Sequence, residues 1–299
     1  MFSEYNSCNL CPRGCKVNRN KNYKGWCNQT SALKIARASL HMWEEPPISG
    51  ERGSGTVFFT GCSLKCIYCQ NYKISSENLG KEITVERLSK IFSELQEKGA
   101  HNINLVTAEH FAPHICEAIK TARKNGLSIP VILNSSGYIN IRTLKMLENY
   151  IDIYLVDCKY FFSETAKKYS QAENYCEVAK NAISEMVNQK AKMIYDGDGM
   201  LKKGVVIRVL CLPGHIEETK EIIKSLYEKY GESVCYSIMS QYTPTKNTQN
   251  IPPLNRKLRE SEYDEIVDFC IDLGMENVFV QERESACESF IPEFSGEGV

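Results

Sequence analysis

The sequence has almost no net charge, few histidines and no long apolar run. Its 36 Lys and Arg balance 37 Asp and Glu, which leaves a formal net charge of −1. Nucleic-acid binders usually present a basic face, so this balance argues against binding of a polyanion. No stretch reaches the roughly 18 apolar residues that span a bilayer, and the first residues do not resemble a secretory signal. We therefore expect a cytoplasmic protein that binds neither membrane nor nucleic acid.

Cysteine is abundant, at 14 of 299 residues. A disulfide framework suits a small secreted domain, whereas this chain is long enough to bury one large core, with or without a small appendage. In a reducing compartment, thiols spaced two and three residues apart indicate metal ligands. Half of the cysteines fall in two such groups, which are Cys8, Cys11, Cys15 and Cys27, followed by Cys62, Cys66 and Cys69.

Strand-like and helix-like segments alternate after residue 55. About six β-then-α units imply a parallel sheet with right-handed crossovers. An open doubly wound sheet and a barrel both fit, and a barrel would be incomplete because eight units need about 250 residues. Either fold places ligands at the C-terminal ends of the strands. Short apolar, β-branched segments predict the strands, at residues 56–60, 103–107, 131–133, 151–157, 205–210, 234–239 and 277–281.

The first of these strands runs directly into a loop with three cysteines, Gly61-Cys62-Ser63-Leu64-Lys65-Cys66-Ile67-Tyr68-Cys69. The spacing is C-x3-C-x2-C, and no fourth cysteine follows nearby. Three thiolates can hold three irons of a cubane [4Fe–4S] cluster and leave the fourth iron open to a substrate or cofactor. A zinc or redox loop is the alternative, although the mouth of a barrel is not a favoured place for one.

This loop resembles the signature of the radical SAM superfamily, which follows the first strand of a partial (β/α)6 barrel. Tyr68, directly before the third cysteine, is also typical, and we expect it to lie beside the cofactor. Within the superfamily the chain is similar to the pyruvate formate-lyase activating enzymes, in particular their PflX-like branch. The resemblance covers nearly the whole chain, with matches at Cys8-Asn9-Leu10-Cys11-Pro12-Arg13-Gly14-Cys15, His41-Met42-Trp43-Glu44-Glu45-Pro46-Pro47-Ile48-Ser49-Gly50, residues 55–71, Gln241-Tyr242-Thr243-Pro244 and Phe290-Ile291-Pro292.

The resemblance implies an oxidoreductase in which Cys62, Cys66 and Cys69 hold a [4Fe–4S] cluster and its open iron binds S-adenosylmethionine (SAM). One electron, from a donor such as flavodoxin or ferredoxin, then cleaves SAM to a 5′-deoxyadenosyl radical that abstracts hydrogen from the substrate. A glycyl radical enzyme is the substrate that the closer likeness implies. Two alternatives stay open, which are modification of a small molecule or another polypeptide, and an iron–sulfur electron carrier without turnover.

The same likeness assigns cofactor contacts to the ends of the second and third strands. Glu109 occupies a family position that binds the SAM amino group, with Thr107 and Ala108 where family members often have two glycines. A carboxylate placed to favour a helix N-terminus is the alternative for Glu109. Asn134 and Ser136 lie where activating enzymes have a Thr-Asn-Gly turn, so we expect them to contact ribose or carboxylate groups. A turn that needs Gly137 at positive φ is the alternative explanation.

Charged residues end the later strands. Asp157 and Lys159 share one face because alternate residues of a strand do, so we predict that both enter the barrel mouth. They should pair with each other or with a ligand, since a lone buried charge is costly. Their Asp-x-Lys pattern resembles that of the activating enzymes, where the pair lies near SAM and substrate, and this resemblance implies catalytic and cofactor-binding roles. Arg208 interrupts an apolar strand and is predicted to meet either the SAM carboxylate or an internal carboxylate. Gln241 is a further cofactor candidate, and Tyr242 follows it at about the place where activating enzymes carry a histidine.

Residues 1–54 have no convincing helical or strand periodicity. A segment without its own apolar core needs a cross-link to fold stably. The four thiols at Cys8, Cys11, Cys15 and Cys27 can supply one by binding a metal. Structural zinc and an auxiliary iron–sulfur cluster both fit, and the spacing does not choose between them. The predicted organisation is a cysteine-rich arm at 1–54, a radical SAM partial barrel at 55–282 and a C-terminal tail at 283–299.

Overall fold

The computed structural model describes residues 1–281 and 293–299, so most of the predicted C-terminal tail and the Phe290-Ile291-Pro292 motif lie outside the described residues. The strands are, in chain order, β1 Lys34–His41, β2 Ser54–Phe59, β3 Lys81–Glu82, β4 Ile103–Val106, β5 Val131–Ser135, β6 Ile153–Asp157, β7 Ile194–Tyr195, β8 Leu201–Leu210, β9 Cys235–Met239 and β10 Val278–Val280. The α-helices are α1 Pro46–Ser49, α2 Tyr72–Ser75, α3 Val85–Glu97, α4 Ala112–Lys124, α5 Ile141–Leu147, α6 Ser163–Ser170, α7 Tyr175–Gln189, α8 Ile216–Tyr230 and α9 Glu260–Asp272.

The parallel strands lie side by side in the order in which they occur along the chain. That order is β2, β4, β5, β6, β8, β9 and β10, with every neighbouring pair parallel. It is the winding of a barrel, because a doubly wound sheet reverses its strand order at a switch point. In the described part of the chain β10 and β3 are the two edge strands of the sheet and do not pair with each other, so the barrel is incomplete. The predicted α/β fold, a partial TIM-like barrel, is confirmed.

Helix α3 shows why the chain forms these elements where it does. The Thr84 side chain accepts a hydrogen bond from the Arg87 backbone nitrogen and caps the first turn. Four apolar residues at helical spacing pack into the core, and Gly99 ends the helix with a φ of +88°. The buried apolar face of α3 consists of Leu88, Ile91, Phe92 and Leu95.

The N-terminal segment contains one strand that the sequence analysis did not predict. Strand β1 pairs antiparallel with β2, and its register shifts between Ile35 and Arg37. This irregularity interrupts the alternation of buried and exposed residues on which strand prediction depends. Residues before β1 dock on the barrel through Tyr5, whose hydroxyl lies 2.7 Å from Nδ1 of His114, and through Arg19, which is fully buried and donates to the carbonyl oxygen of His110.

Two further observations concern the described residues. No helix there is long and apolar enough to cross a bilayer. The thirteen cysteines of that part of the chain all carry free thiols, so no disulfide staples the N-terminal segment to the barrel.

Candidate functional site

A pocket opens at the C-terminal ends of the parallel strands, where the winding predicts a ligand site. Most of the residues predicted to bind the cluster or cofactor line this pocket, so the fold brings together side chains that are far apart in the sequence. Those residues are Cys62, Cys66, Tyr68, Cys69, Thr107, Asn134, Ser136, Asp157, Lys159, Arg208 and Gln241.

The three-cysteine loop follows β2 after a turn at Gly61. This glycine has a φ of +91°, and a Cβ atom there would lie 2.7 Å from the carbonyl oxygen of Cys27. A residue without a side chain therefore allows the N-terminal segment to lie directly against the start of the loop. Hydrogen bonds reach every sulfur in the loop, among them those from Leu64 N to Cys62 Sγ (3.3 Å), from Ser170 Oγ to Cys66 Sγ (2.8 Å) and from Ser75 Oγ to Cys69 Sγ (3.5 Å).

This donor set fits an iron–sulfur cluster better than a single metal ion. In the described residues no three Cys, His, Asp or Glu side chains converge as ligands of one ion. The thiolates of a cluster bind different irons, and hydrogen bonds to their sulfurs are a normal feature of such centres. Burial raises the pKa of Cys62 to about 12 and also raises the pKa of Cys69. Both groups therefore stay protonated until bound iron stabilises the thiolates.

Asp157 and Lys159 pair across the pocket floor, as the sequence analysis predicted. The Lys159 Nζ atom lies 2.6 Å from Asp157 Oδ2, and the Arg208 Nε atom lies 2.8 Å from Asp157 Oδ1. The three side chains are only 13–15% exposed. Burial by itself would raise the pKa of Asp157, but Arg208 and Lys159 outweigh it and lower that pKa. The floor of the pocket therefore carries a carboxylate that stays ionised between two cations.

Arg208 is already satisfied by protein groups. Besides Asp157, it donates to Asn134 Oδ1 at 2.6 Å and to Glu44 Oε2 at 3.2 Å. The second carboxylate is held by Asn104, whose Nδ2 atom lies 2.9 Å from Glu44 Oε1. Of the two interpretations of this arginine, the structure shows the internal ion pair.

Glu44 is a pocket residue that sequence reasoning missed. It lies in the segment His41-Met42-Trp43-Glu44-Glu45, which crosses from β1 to α1 and brings His41, Trp43 and Glu44 to the pocket wall. Trp43 remains 60% exposed there. The sequence did indicate that a carboxylate lies near Arg208, because an arginine inside an apolar strand requires such a partner. Sequence separation concealed which carboxylate it was.

The end of β4 differs from the expected arrangement. Thr107 lines the pocket with a φ of +55°, but Ala108 is fully buried in the core and is not among the lining residues. Glu109 is buried and is not among the lining residues either, and its carboxylate accepts a hydrogen bond from the Ser135 hydroxyl. Burial raises the pKa of Glu109. A contact between this carboxylate and the SAM amino group stays a prediction.

The four thiols of the N-terminal segment lie near one another. Cys8, Cys11 and Cys27 are buried and Cys15 is partly exposed. Burial raises the pKa of Cys11 to about 12, and the other three thiols act in the same direction. Among the residues with described side chains these four do not converge as the ligands of one ion, as tetrahedral zinc with Zn–S bonds of about 2.3 Å would require. Metal binding by this group stays a prediction.

The comparison with known families identifies the class of protein. The family description "Radical SAM superfamily" matches residues 56–226, which is more than half of the chain and includes the three-cysteine loop, Asp157, Lys159 and Arg208. The chain belongs to the radical SAM superfamily. Membership implies cleavage of SAM with a [4Fe–4S] cluster, and Cys62, Cys66 and Cys69 are the residues that would hold that cluster here.

Individual relatives show how far the similarity extends. An uncharacterised protein of Methanocaldococcus jannaschii is 26% identical, over 92% of this chain and 77% of that protein. Among solved structures, SuiB of Streptococcus suis, bound to its precursor peptide SuiA, has a TM-score of 0.50 at 12% identity over 75% of this chain. The chain spans about half of SuiB, 47% of its length, and this likeness shows the fold alone. Methylornithine synthase (PylB) has a TM-score of 0.49 at 14% identity, over 73% of this chain and 68% of that one.

Proposed function

We propose that this chain is a radical SAM oxidoreductase of the pyruvate formate-lyase activating type, in the PflX-like branch, and that it abstracts hydrogen from a glycyl residue of a partner enzyme. The supporting observation is that the three thiols and the Asp157–Lys159 pair open into one pocket at the strand ends. Reductive cleavage of SAM at the cluster supplies the radical. The chain's own residues bind and orient the reactants and keep water from the radical.

The pocket offers polar groups suited to that binding. The Ser136 Oγ atom lines the pocket, is itself buried and has no hydrogen-bond partner in the structure. Because a buried hydroxyl without a partner is costly, we assign Ser136 to a ligand oxygen or nitrogen. Asp157 and Lys159 present opposite charges beside it, which suits the amino and carboxylate groups of an amino-acid moiety.

A second candidate is modification of a small molecule or another polypeptide. Two departures from the activating enzymes favour it. Thr107 and Ala108 replace the two glycines common in the family, and Tyr242 stands at about the position of their histidine. The Tyr242 hydroxyl donates to the carbonyl oxygen of Leu254 at 2.6 Å and is buried, so it has a structural role in place of that histidine.

The remaining proposals concern setting and partners. We propose that the protein works in the cytoplasm, because thirteen free cysteines suit a reducing compartment, and that flavodoxin or ferredoxin supplies its electron. We also propose that Cys8, Cys11, Cys15 and Cys27 bind metal, as an iron–sulfur or iron-bearing site in preference to zinc. Binding would then require these side chains to close around the metal.

The decisive experiment measures 5′-deoxyadenosine. The protein is reconstituted anaerobically with iron and sulfide, reduced and given SAM. We expect product from the wild type and from Cys116→Ala, a thiol on α4 that lies outside the pocket, but none from Cys62→Ala. A fully loaded wild type that neither binds nor cleaves SAM would favour the electron carrier and contradict the proposal.

A second measurement separates the two enzymatic candidates. Anaerobic affinity capture should recover the polypeptide substrate, and incubation with SAM and reductant should then produce a glycyl radical doublet in its EPR spectrum. Product formation with a captured polypeptide but without this doublet would favour the second candidate.

A further inference from the structure

The sulfurs of the three-cysteine loop differ in the strength of the hydrogen bond that each accepts. The shortest comes from Ser170, whose Oγ atom lies 2.8 Å from Cys66 Sγ and is fully buried at the end of α6. The Ser75 hydroxyl lies 3.5 Å from Cys69 Sγ. A hydrogen bond to a cluster sulfur stabilises the more negative, reduced state and so influences the reduction potential.

Two tyrosines lie behind this serine. The Tyr160 hydroxyl is 2.6 Å from Ser170 Oγ, and a further hydrogen bond of 2.8 Å joins Tyr160 to Tyr68 of the cysteine loop. Both tyrosines are buried, at 2% and 5% exposure. The two tyrosines thus shield the serine hydroxyl from solvent, which would otherwise compete for its proton.

Arg13, from the four-thiol segment, fixes the position of this serine. Its Nη2 and Nη1 atoms donate to the carbonyl oxygens of Ser170 (3.1 Å) and Gln171 (2.5 Å), where α6 ends. Its Nε atom donates to the carbonyl oxygen of Ser63 inside the cysteine loop, at 2.8 Å. One planar guanidinium therefore joins the loop to the helix end that carries the sulfur's donor.

The same side chain is anchored within its own segment. Arg13 lies between Cys11 and Cys15 in the sequence, and its guanidinium carbon stands 4.1 Å from the centre of the Trp26 ring, next to Cys27. Arg13 thus links the geometry of the four-thiol segment to Ser170.

We propose that the hydroxyl of Ser170 sets the reduction potential of the cluster held by Cys62, Cys66 and Cys69, and that Arg13 is a positioning residue for this hydroxyl, so that the N-terminal segment determines how readily the cluster is reduced. The inference rests on the presence of the cluster at this loop and not on the choice of substrate. The test measures the reduction potential of the cluster, and this measurement does not require turnover.

The test is a redox titration of the reconstituted protein without SAM, followed by the EPR signal of the reduced cluster, with iron and sulfide content matched among variants. At a fixed ambient potential, Ser170→Ala should lower the ratio of reduced to oxidised cluster about tenfold, equivalent to about 59 mV for a one-electron couple. Ser75→Ala is the matched control and should lower the ratio much less. Equal effects of the two variants would overturn the proposal.

Two further variants test the positioning role and guard against loss of the cluster. Arg13→Lys keeps the charge but cannot bridge three carbonyl groups, so it should lower the ratio in the wild type and have no further effect in Ser170→Ala. Full additivity of the two changes would mean that Arg13 does not act through Ser170. If Ser170→Ala fails to hold iron, Arg13→Lys decides, because an unchanged ratio in that variant would overturn the proposal.

Discussion

Replacing Asp157 with Asn tests whether the pocket floor is held by one coupled group of charges. The substitution keeps the shape of the side chain but leaves Lys159 without its partner at 2.6 Å. Arg208 still has Glu44 and Asn134. Removing one member of a buried pair costs about 3–5 kcal/mol, and the side chains here are 13–15% exposed. We therefore expect Asp157→Asn to lower the free energy of unfolding by about 3 kcal/mol.

The matched variant Lys159→Met should cost only about 1 kcal/mol, because Asp157 keeps Arg208. The double variant should then cost less than the sum of the two by about 1–2 kcal/mol. Denaturant unfolding of the anaerobic full chain measures all four proteins. The exposed pair Lys167–Glu173, at 64% and 68% exposure, is the control and should show almost no coupling. Additive costs at Asp157 and Lys159 would refute the reasoning.

The remaining predictions concern a second buried carboxylate and the N-terminal thiols. Glu45 is buried near Arg208, its Oε2 atom has no hydrogen-bond partner, and burial raises its pKa. The folded state then binds more protons than the unfolded state between the two pKa values of this carboxyl group. Burying the ionised carboxylate therefore destabilises the folded state at neutral pH, and this cost disappears as the pH falls towards the ordinary pKa of about 4.3. Glu45→Gln should therefore stabilise the protein at pH 7 and have little effect near pH 4 in denaturant unfolding, and the same gain at both pH values would contradict this assignment. For the N-terminal group, a variant with Cys62, Cys66 and Cys69 replaced by Ala should still contain iron, or zinc, by elemental analysis, and absence of both metals would end the proposal of a second site.

Local patterns were sufficient to predict a parallel sheet of β-then-α units and the three-cysteine loop, whereas the choice of a barrel over a doubly wound sheet came from the resemblance to the radical SAM superfamily. Apolar segments of strand length alternate with helical stripes, and such a pattern has few compatible folds. The spacing of Cys62, Cys66 and Cys69 directly after a strand is likewise a local property, as is the shared face of Asp157 and Lys159. These features depend on residues within a few positions of one another, and a single sequence displays them directly.

Local patterns failed where a bulge or a distant partner decided the structure. Strand β1 was missed because its register shift breaks the alternation. Glu109 was expected to line the pocket, but it is buried and its carboxylate accepts a hydrogen bond from the Ser135 hydroxyl.

The sequence by itself determined the fold class, the three thiols of the cluster loop and the family, since all of these follow from short-range spacing. Only the tertiary structure decided which carboxylates satisfy Arg208, that Glu44 joins the pocket, and that Arg13 reaches the end of α6. These contacts join residues more than 50 positions apart in the chain, and their pairing depends on how the elements pack. Packing is decided by the whole core together, so no local stretch of sequence records it.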